Sequence, residues 1–233
     1  MIILLVILSA LSFYLFGAVW VEKASHLLWA GLSLIILVAS VTVFALHDVN
    51  HLGMKTVTTT QTVSLASVNP QANLLVYKQL GTGNEKVYVY KTDIHQKKTK
   101  HTWVDSKATT KLTQTTGDAK VVIKTQKYVY ANGFAKAMFG ILGDNNETKH
   151  RSYDFQVNPT WAVINTHQAA QLTKQLKQPA AQAQMKTVIA SQVKQRMAQA
   201  LQQNPHLTPA QQGALQLQFT NEAKAQAIQQ LVK

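Results

Sequence analysis

Two long uncharged stretches at the start of the chain constrain its fold more than any other feature. Residues 2–21 and 27–46 each comprise twenty residues without a charged side chain, and most of them are Ile, Leu, Val or Phe. Each stretch matches the roughly 20 residues that an α-helix needs to cross about 30 Å of hydrocarbon. The sequence therefore predicts a two-span transmembrane hairpin as a first domain, residues 1–47.

The short segment between the two stretches is charged. A single continuous helix would bury Glu22 and Lys23 in hydrocarbon, so the chain is expected to reverse there. Trp20 and Trp29 flank the turn, and amphipathic rings favour the headgroup level. A cleaved signal peptide is the alternative for the first stretch. It is disfavoured because only the terminal amine is basic before the stretch, which is longer than the usual apolar core of about 7–15 residues.

The second stretch ends in a polar segment that contains two histidines. His47 and His51 are four residues apart, so a helical continuation would put both imidazoles on one face, close to Asp48. Zinc sites use that spacing but need a third ligand. Polar residues that end a span at the water boundary are the simpler interpretation, with Gly53 as a helix stop. We expect no metal and no other cofactor.

The remainder of the chain is basic. Residues 47–233 contain 22 Lys or Arg against 9 Asp or Glu, so they carry the whole formal charge of +13. This excess favours an anionic neighbour. The positive-inside rule compares the Lys and Arg residues next to the spans on the two sides of the membrane. Lys23 lies in the turn and Lys55 follows the second span, so each side has one lysine and the rule does not decide the orientation. The Thr-rich segments 55–66 and 107–116, together with the absence of cysteine, favour an extracytoplasmic domain.

Residues 55–165 read as a basic antiparallel β-domain. Runs of β-branched and aromatic residues at 76–78 and 87–91 flank the Gly/Asn turn 81–84, which is typical of a hairpin. A second hairpin is expected around residues 116–118, between strands 108–115 and 119–131. Further strands are expected at 55–66, 151–157 and 161–164. Six or seven short strands favour a small antiparallel sandwich or barrel.

The composition changes near residue 166, and residues 166–233 are rich in Gln, Ala and Lys. Apolar residues at spacings of three to five predict an amphipathic helix over 180–203. Thr208, Pro209 and Gln211 form a capping-box pattern that predicts a last helix over 209–231. These helices could pack on the sheet, pair as a coiled coil or be partly disordered; pairing or a helical tail is favoured. The predicted class is an α+β membrane protein.

The whole pattern resembles a family of uncharacterised two-span membrane proteins, a domain of unknown function, from lactobacilli and related lactic acid bacteria. The resemblance lies in the N-terminal hairpin, the strand at 87–92, and residues 160–165 leading into the Gln-rich helices. It implies this architecture and a Gram-positive host. It implies no catalytic residues.

The clearest chemical feature is a concentration of lysine. Eleven lysines and four acidic residues lie between residues 78 and 127, and Trp103 is close to the densest run. Lysines near a bilayer can hold anionic headgroups, and a solvated strand face is the plainer interpretation. Nucleic acid is disfavoured because the chain has only two arginines. The candidate anion-binding residues are Lys97, Lys98, Lys100, Lys124 and Lys127.

No nucleotide-binding, hydrolase or metalloprotease motif is present in the sequence. We therefore expect a non-enzymatic module of the cell envelope, anchored in the bilayer. It would bind a partner protein, anionic lipid headgroups or teichoic acids, and could serve another membrane protein as an accessory. The alternative is an envelope enzyme with an unrecognised active site in the β-domain, around the Tyr-rich strands, His150 and Asp154.

Overall fold

The computed structural model describes residues 1–22, 24–69, 71–81 and 85–232. The chain divides into two compact units, Met1–Thr59 with Thr125–His150 and Thr60–Lys124 with Arg151–Lys233. The helices are α1 (Ile2–Tyr14, extended by a π-helical segment Leu15–Val19), α2 (His26–Asn50), α3 (Gly133–Phe139), α4 (Thr166–Gln175), α5 (Pro179–Gln203) and α6 (Pro209–Leu231). The strands are β1 (Met54–Ser64), β2 (Leu74–Gln79), β3 (Lys86–Tyr90), β4 (Lys100–His101), β5 (Ala108–Gln114), β6 (Lys120–Tyr130), β7 (Thr148–Val157) and β8 (Ala162–Asn165).

The two apolar stretches form two helices that are long and apolar enough to cross a membrane, as predicted. The predicted turn residue Lys23 lies outside the described residues. Ser9 and Ser33 are buried, and the hydroxyl oxygens of Ser12 and Ser33 are 2.7 Å apart. Most large apolar side chains of both helices are instead exposed, among them Leu4, Leu8, Leu11, Leu27, Leu28, Ile35 and Val38.

The first unit also contains α3, a short helix that was not predicted from the sequence. The Asn132 side chain caps it by accepting a hydrogen bond from the Ala135 amide at 2.8 Å. Ala135 and Phe139 are buried with Ile2 in a small apolar core. The amino group of Met1 donates to the carbonyls of Ala137 and Met138, so the start of α1 is fixed at the end of α3.

One sheet has the strand order β1-β6-β7-β5. Strand β5 pairs with β7 in parallel, from Ala108 opposite Arg151 to Gln114 opposite Val157. The predicted hairpin between residues 108–115 and 119–131 is therefore wrong. β5 leaves most of its Thr, Lys and Gln side chains exposed or half-buried, whereas every second residue of the carboxyl-terminal half of β7 is buried. The polar strand accordingly occupies the sheet edge, where fewer apolar groups need cover.

The second sheet has the order β4-β3-β2-β8. Its β2–β3 pair is antiparallel, with Tyr77 opposite Tyr88, which confirms the first predicted hairpin; residues 82–84 of its turn lie outside the described residues. Strand β8 joins β2 in parallel. Because side chains alternate between faces, Leu75 enters one apolar core and Leu74 the other. Burial on both faces explains the unbroken apolar run at the start of β2.

The second unit has two apolar cores. The first contains residues of both sheets and is mainly aromatic, with Tyr88 and Phe155 rings 4.6 Å apart. The second joins β2 and β8 to α4 and α6 through residues such as Ile164, Leu172 and Ile228. Helix α5 pairs with α6, so the C-terminal helices both pair and pack on the sheet. The predicted α+β class is confirmed.

Both long C-terminal helices have nearly the predicted bounds. The α6 cap is a complete capping box, in which the Thr208 hydroxyl accepts from the Gln211 amide and the Gln211 side chain accepts from the Thr208 amide. A second capping box, between Asn165 and Gln168, begins α4 directly after β8. Side-chain capping of the free amides therefore sets where these helices begin.

Candidate functional site

Three of the five predicted anion-binding lysines lie close together in sequence and structure. Lys97 and Lys98 are exposed on the loop between β3 and β4, and Lys100 is exposed on β4 at the sheet edge. The Lys100 ammonium donates to the Thr92 hydroxyl at 3.2 Å, while its backbone lies opposite Tyr90. This loop and edge strand form a small, solvated basic surface.

The other two predicted lysines lie on a strand of the other sheet. Lys124 and Lys127 are three residues apart on β6, so they point to opposite faces of that strand. Lys124 lines a surface depression together with Lys111 and Asp154. The structure therefore groups Lys97, Lys98 and Lys100 but does not join Lys124 and Lys127 to each other.

The most fully constructed polar cluster in the first unit surrounds His47, near the end of α2. The imidazole is 1% exposed. Its Nδ1 is 2.5 Å from the Leu52 carbonyl oxygen, and its Nε2 is 2.6 Å from Asp144 Oδ2. The Tyr130 hydroxyl donates to Asp144 Oδ1 at 2.5 Å. Three side chains from α2, β6 and the loop after α3 thus form one hydrogen-bonded network, here called the His47 network.

The donors and acceptors of this network determine where its protons lie. The Leu52 carbonyl can only accept, so Nδ1 carries a hydrogen. Nε2 faces a carboxylate oxygen, so one further proton lies between Nε2 and Asp144 Oδ2. The network therefore holds one proton in the hydrogen bond between His47 and Asp144, and the imidazole side of that bond is closed off from solvent.

The pKa values of Asp144 and Tyr130 reflect the hydrogen bonds of the His47 network. Burial alone would raise the pKa of Asp144, but the hydrogen bonds from Tyr130 and His47 and the imidazole charge outweigh it, so the pKa lies below its usual value. Burial, the hydrogen bond to Asp144 and the negative charge of that carboxylate raise the pKa of Tyr130 to about 12. Asp144 therefore stays ionised and Tyr130 stays neutral over a wide pH range.

Apolar and aromatic contacts enclose the network. The His47 ring stacks on Phe139 with centroids 3.7 Å apart and planes 2° apart. Gly53, with a φ of +84°, lies against the Phe139 ring. A Cβ at this position would be 3.1 Å from Phe139 Cε2 and 3.3 Å from Ala135 Cβ. Glycine is required here by both the backbone conformation and the close approach.

His51 has partners of its own. It ends α2 in the left-handed conformation, with a φ of +57°, and its ring stacks on Tyr128 with centroids 3.8 Å apart. The Lys149 ammonium lies 5.3 Å from the Tyr128 ring centroid. Because α2 ends at Asn50, the helical continuation that would put His47 and His51 on one face does not occur. The His47 side chain is buried within the first unit.

The His47 network joins three elements of the first unit. The imidazole ring is 1% exposed and is hydrogen-bonded at both nitrogens. Within residues 1–22, 24–69, 71–81 and 85–232, no three His, Asp or Glu side chains are grouped as metal ligands would be. What the network does is fix the end of α2 to β6 and to the loop after α3 by charge-assisted hydrogen bonds.

The residues proposed for an enzyme active site lie in other surroundings. Tyr88 and Tyr90 are buried in the aromatic core, and burial raises the pKa of both phenols. Asp154 accepts hydrogen bonds from Thr113 and Gln156 at the surface of β5 and β7. The tyrosines of the Tyr-rich strand β3 are thus explained by packing.

Sequence reasoning missed the partners of His47. Asp144 is 97 residues away, and no local pattern links the two. One signal was present: a histidine on an otherwise apolar helix is expected to have a buried polar partner. Asp144 is the first acidic residue after the apolar stretch 134–142, which makes it a candidate for that role.

Comparisons with known proteins identify a family for this chain. No curated protein and no solved structure matches the chain significantly. A family model described as "Domain of unknown function (DUF4811)" matches residues 22–172, which is more than half of the chain. The match extends from the turn before α2, through all eight strands, and into α4. The chain belongs to this family, DUF4811.

Proposed function

We propose that the protein is a membrane-anchored, non-enzymatic module of the cell envelope, whose α1–α2 hairpin spans the bilayer and whose basic surface binds an anionic partner. The observation that carries the anchoring is the His47 network. Together with Ile2, which is buried against α3, it ties both apolar helices into the folded first unit. Helices held in this way are integral parts of the fold rather than a removable leader.

The exposure of the hairpin supports insertion. Large apolar side chains occupy most of the exposed positions of α1 and α2. Contiguous apolar surfaces of that extent are rare on soluble monomers. At about −0.3 to −0.6 kcal/mol for each large apolar residue, either helix gains several kcal/mol on transfer into the bilayer.

The proposal assigns the water-facing part to the extracytoplasmic side of a Gram-positive cell, as in lactic acid bacteria. Its support is the absence of cysteine, the Thr-rich strands β1 and β5, and the positive charge. At that location the available anions are lipid headgroups and teichoic-acid phosphates. The domain could also serve as an accessory to another membrane protein.

The basic surface of Lys97, Lys98 and Lys100 is the proposed contact with anionic lipid. Each lysine near a charged membrane surface contributes about 1 kcal/mol. These three lysines are exposed and belong to one loop and the adjacent edge strand. Together they would contribute about 3 kcal/mol. Removal of all three charges should therefore weaken binding by at least tenfold, which corresponds to about 1.4 kcal/mol, roughly half of that contribution.

The test uses the full-length chain in nanodiscs of phosphatidylcholine. Binding to vesicles that contain phosphatidylglycerol is measured against pure phosphatidylcholine vesicles by light scattering or flotation. We expect binding to the anionic vesicles alone, with loss as salt shortens the Debye length from about 10 Å at 0.1 M to about 3 Å at 1 M. The variant Lys97→Gln/Lys98→Gln/Lys100→Gln should bind at least tenfold more weakly.

A matched variant controls for net charge. Lys174→Gln/Lys177→Gln/Lys194→Gln removes three exposed charges, one each from α4, from the turn after α4 and from α5, and it should retain most of the binding. Equal loss in both variants would show a general charge effect and contradict a specific surface. Salt-independent binding, or none, would remove the electrostatic proposal altogether.

A further inference from the structure

Helix α5 is incompletely covered along its apolar side. It carries Met185, Val188, Ile189, Val193 and Met197, yet none of its residues is buried. Its neighbour α6 contributes small buried residues, mainly alanines. A groove therefore remains between the two helices, within the second unit.

The deeper part of this groove is a cavity of about 430 Å³. Its apolar floor includes Leu74, Leu172 and Ile228, which are all buried. Among the described residues, it is bounded by Asn69, by residues 71–74, and by α4, α5 and α6. A shallower depression of about 560 Å³ adjoins it along α5 and α6, and the two share Lys186, Ile189 and Lys224.

The charged groups around this groove are all cationic. Lys186 and Lys224 lie where the two parts meet, and Lys194 lies farther along α5. None of the described lining residues is acidic. Residues 166–233 contain one acidic residue, Glu222, and its carboxylate is paired with Arg196. An apolar floor with an uncompensated cationic rim is complementary to an anion that carries an apolar tail.

We propose that this groove binds a single-chain anionic amphiphile of the fatty-acid type. The tail would lie over Leu74, Leu172 and Ile228, and the carboxylate would lie between the Lys186 and Lys224 ammonium groups. Cavities of about 300–1,000 Å³ with apolar walls and few polar groups are typical of small-molecule sites. A peptide helix is about 10–12 Å wide with its side chains, and the segments on all sides of the deeper part favour a slender chain over a helix. The proposal is independent of the surface-binding function above.

The experiment uses the full-length chain in phosphatidylcholine nanodiscs with a palmitic acid that carries a photoreactive diazirine in its tail. After illumination, labelled peptides are identified by mass spectrometry. We expect labelling of peptides that contain Leu172, Met185, Ile189 or Ile228, in addition to any labelling of the membrane helices. The corresponding neutral alcohol should label these groove peptides at least tenfold less.

Two matched variants separate the groove from general charge. Lys186→Gln/Lys224→Gln should reduce groove labelling at least tenfold. Lys174→Gln/Lys177→Gln removes two exposed charges outside the groove, one on α4 and one in the turn after it, and should leave groove labelling unchanged. Unfolding midpoints equal to that of the unaltered chain confirm that both variants fold. Labelling confined to the membrane helices, equal labelling by the alcohol, or insensitivity to Lys186→Gln/Lys224→Gln would overturn the proposal. So would loss of groove labelling at high protein density, which would indicate that a second copy covers the groove.

Discussion

His47 connects the end of the apolar helix α2 to β6 and to the loop after α3. The ring has a carbonyl acceptor on one side and a carboxylate on the other, at 2.5 and 2.6 Å. Such buried pairs are costly to desolvate and strongly destabilising to break, because the remaining partner is left uncompensated. The hydroxyl of Tyr130 lowers that desolvation penalty by bonding the second carboxylate oxygen. Each of the three groups therefore depends on the other two.

The substitution Tyr130→Phe tests this dependence. At pH 7 it should reduce the free energy of unfolding by about 1.5 kcal/mol, the value of a hydrogen bond to a charged group. Since the folded pKa of Asp144 is depressed, its stabilisation is present above the usual value of 3.8 and is lost as the pH falls through the folded pKa. The difference in the free energy of unfolding between the unaltered protein and Tyr130→Phe should accordingly become smaller in acid.

The stability of Tyr130→Phe at alkaline pH gives a second test of the network. The pKa of Tyr130 is raised to about 12, so its stabilisation is complete below the usual value of 10.0 and is lost between these two values. Unfolding midpoints of both proteins in one detergent, measured across the pH range, report this difference. A constant difference at every pH would contradict the network, because it would indicate a loss of packing alone.

The origin of these contacts also shows what the sequence could not predict at the residue scale. The polarity of the segment 47–51 was evident, but the partner of His47 was not. A histidine at a water boundary and a buried, hydrogen-bonded histidine have the same local sequence, and only tertiary packing against Phe139 distinguishes them. The basic loop at Lys97, Lys98 and Lys100 was predictable because exposed lysine runs need no partner.

Elements with strong local signals were predicted well. Thr208 and Gln211 define the start of α6 through their own side chains, and the two uncharged stretches define α1 and α2 by length alone.

The order of strands in the first sheet was predicted less well. The turn at residues 116–118 reverses the chain, but it does not determine which strands pair. Burial decides that: β7 carries Tyr153, Phe155 and Val157 into the core, so it takes an interior position and separates β5 from β6.

Engineered disulfides can test this strand order, since the chain has no cysteine of its own. Thr109 lies directly opposite Ser152 in the parallel β5–β7 pair, so Thr109→Cys/Ser152→Cys should oxidise readily. Thr110 and Lys124 would face each other in a β5–β6 hairpin, but here a strand lies between them. Two strand spacings of about 4.8 Å exceed the reach of a disulfide.

The measurement is the mobility shift of each double variant on non-reducing gels after mild oxidation. We expect an intramolecular bond in Thr109→Cys/Ser152→Cys and none in Thr110→Cys/Lys124→Cys. The reverse result would restore the hairpin that the turn signal suggested. Bond formation in both variants would indicate a sheet whose register is not fixed.

At the scale of the whole molecule, charge and hydropathy divide the chain at the end of α2. The first 46 residues contain two charged side chains, Glu22 and Lys23, and the rest carry the formal charge of +13. In the proposed function the apolar part lies in lipid, whereas the basic part lies in water and favours anions. The His47 network lies close to that division along the chain, and it holds the end of α2 to β6 and to the loop after α3 within the first unit.

The most direct test of the two-span anchor is the side of the membrane on which each segment lies. Ser25, in the turn between α1 and α2, and Lys98, on the basic loop, are both exposed, so Ser25→Cys and Lys98→Cys each introduce one accessible thiol. A membrane-impermeant maleimide applied to intact cells should label Lys98→Cys at once and Ser25→Cys only after lysis. Labelling of Ser25→Cys alone would reverse the orientation. Labelling of both variants to the same extent in intact cells, or recovery of the full-length chain in the soluble fraction without detergent, would contradict a membrane-spanning hairpin.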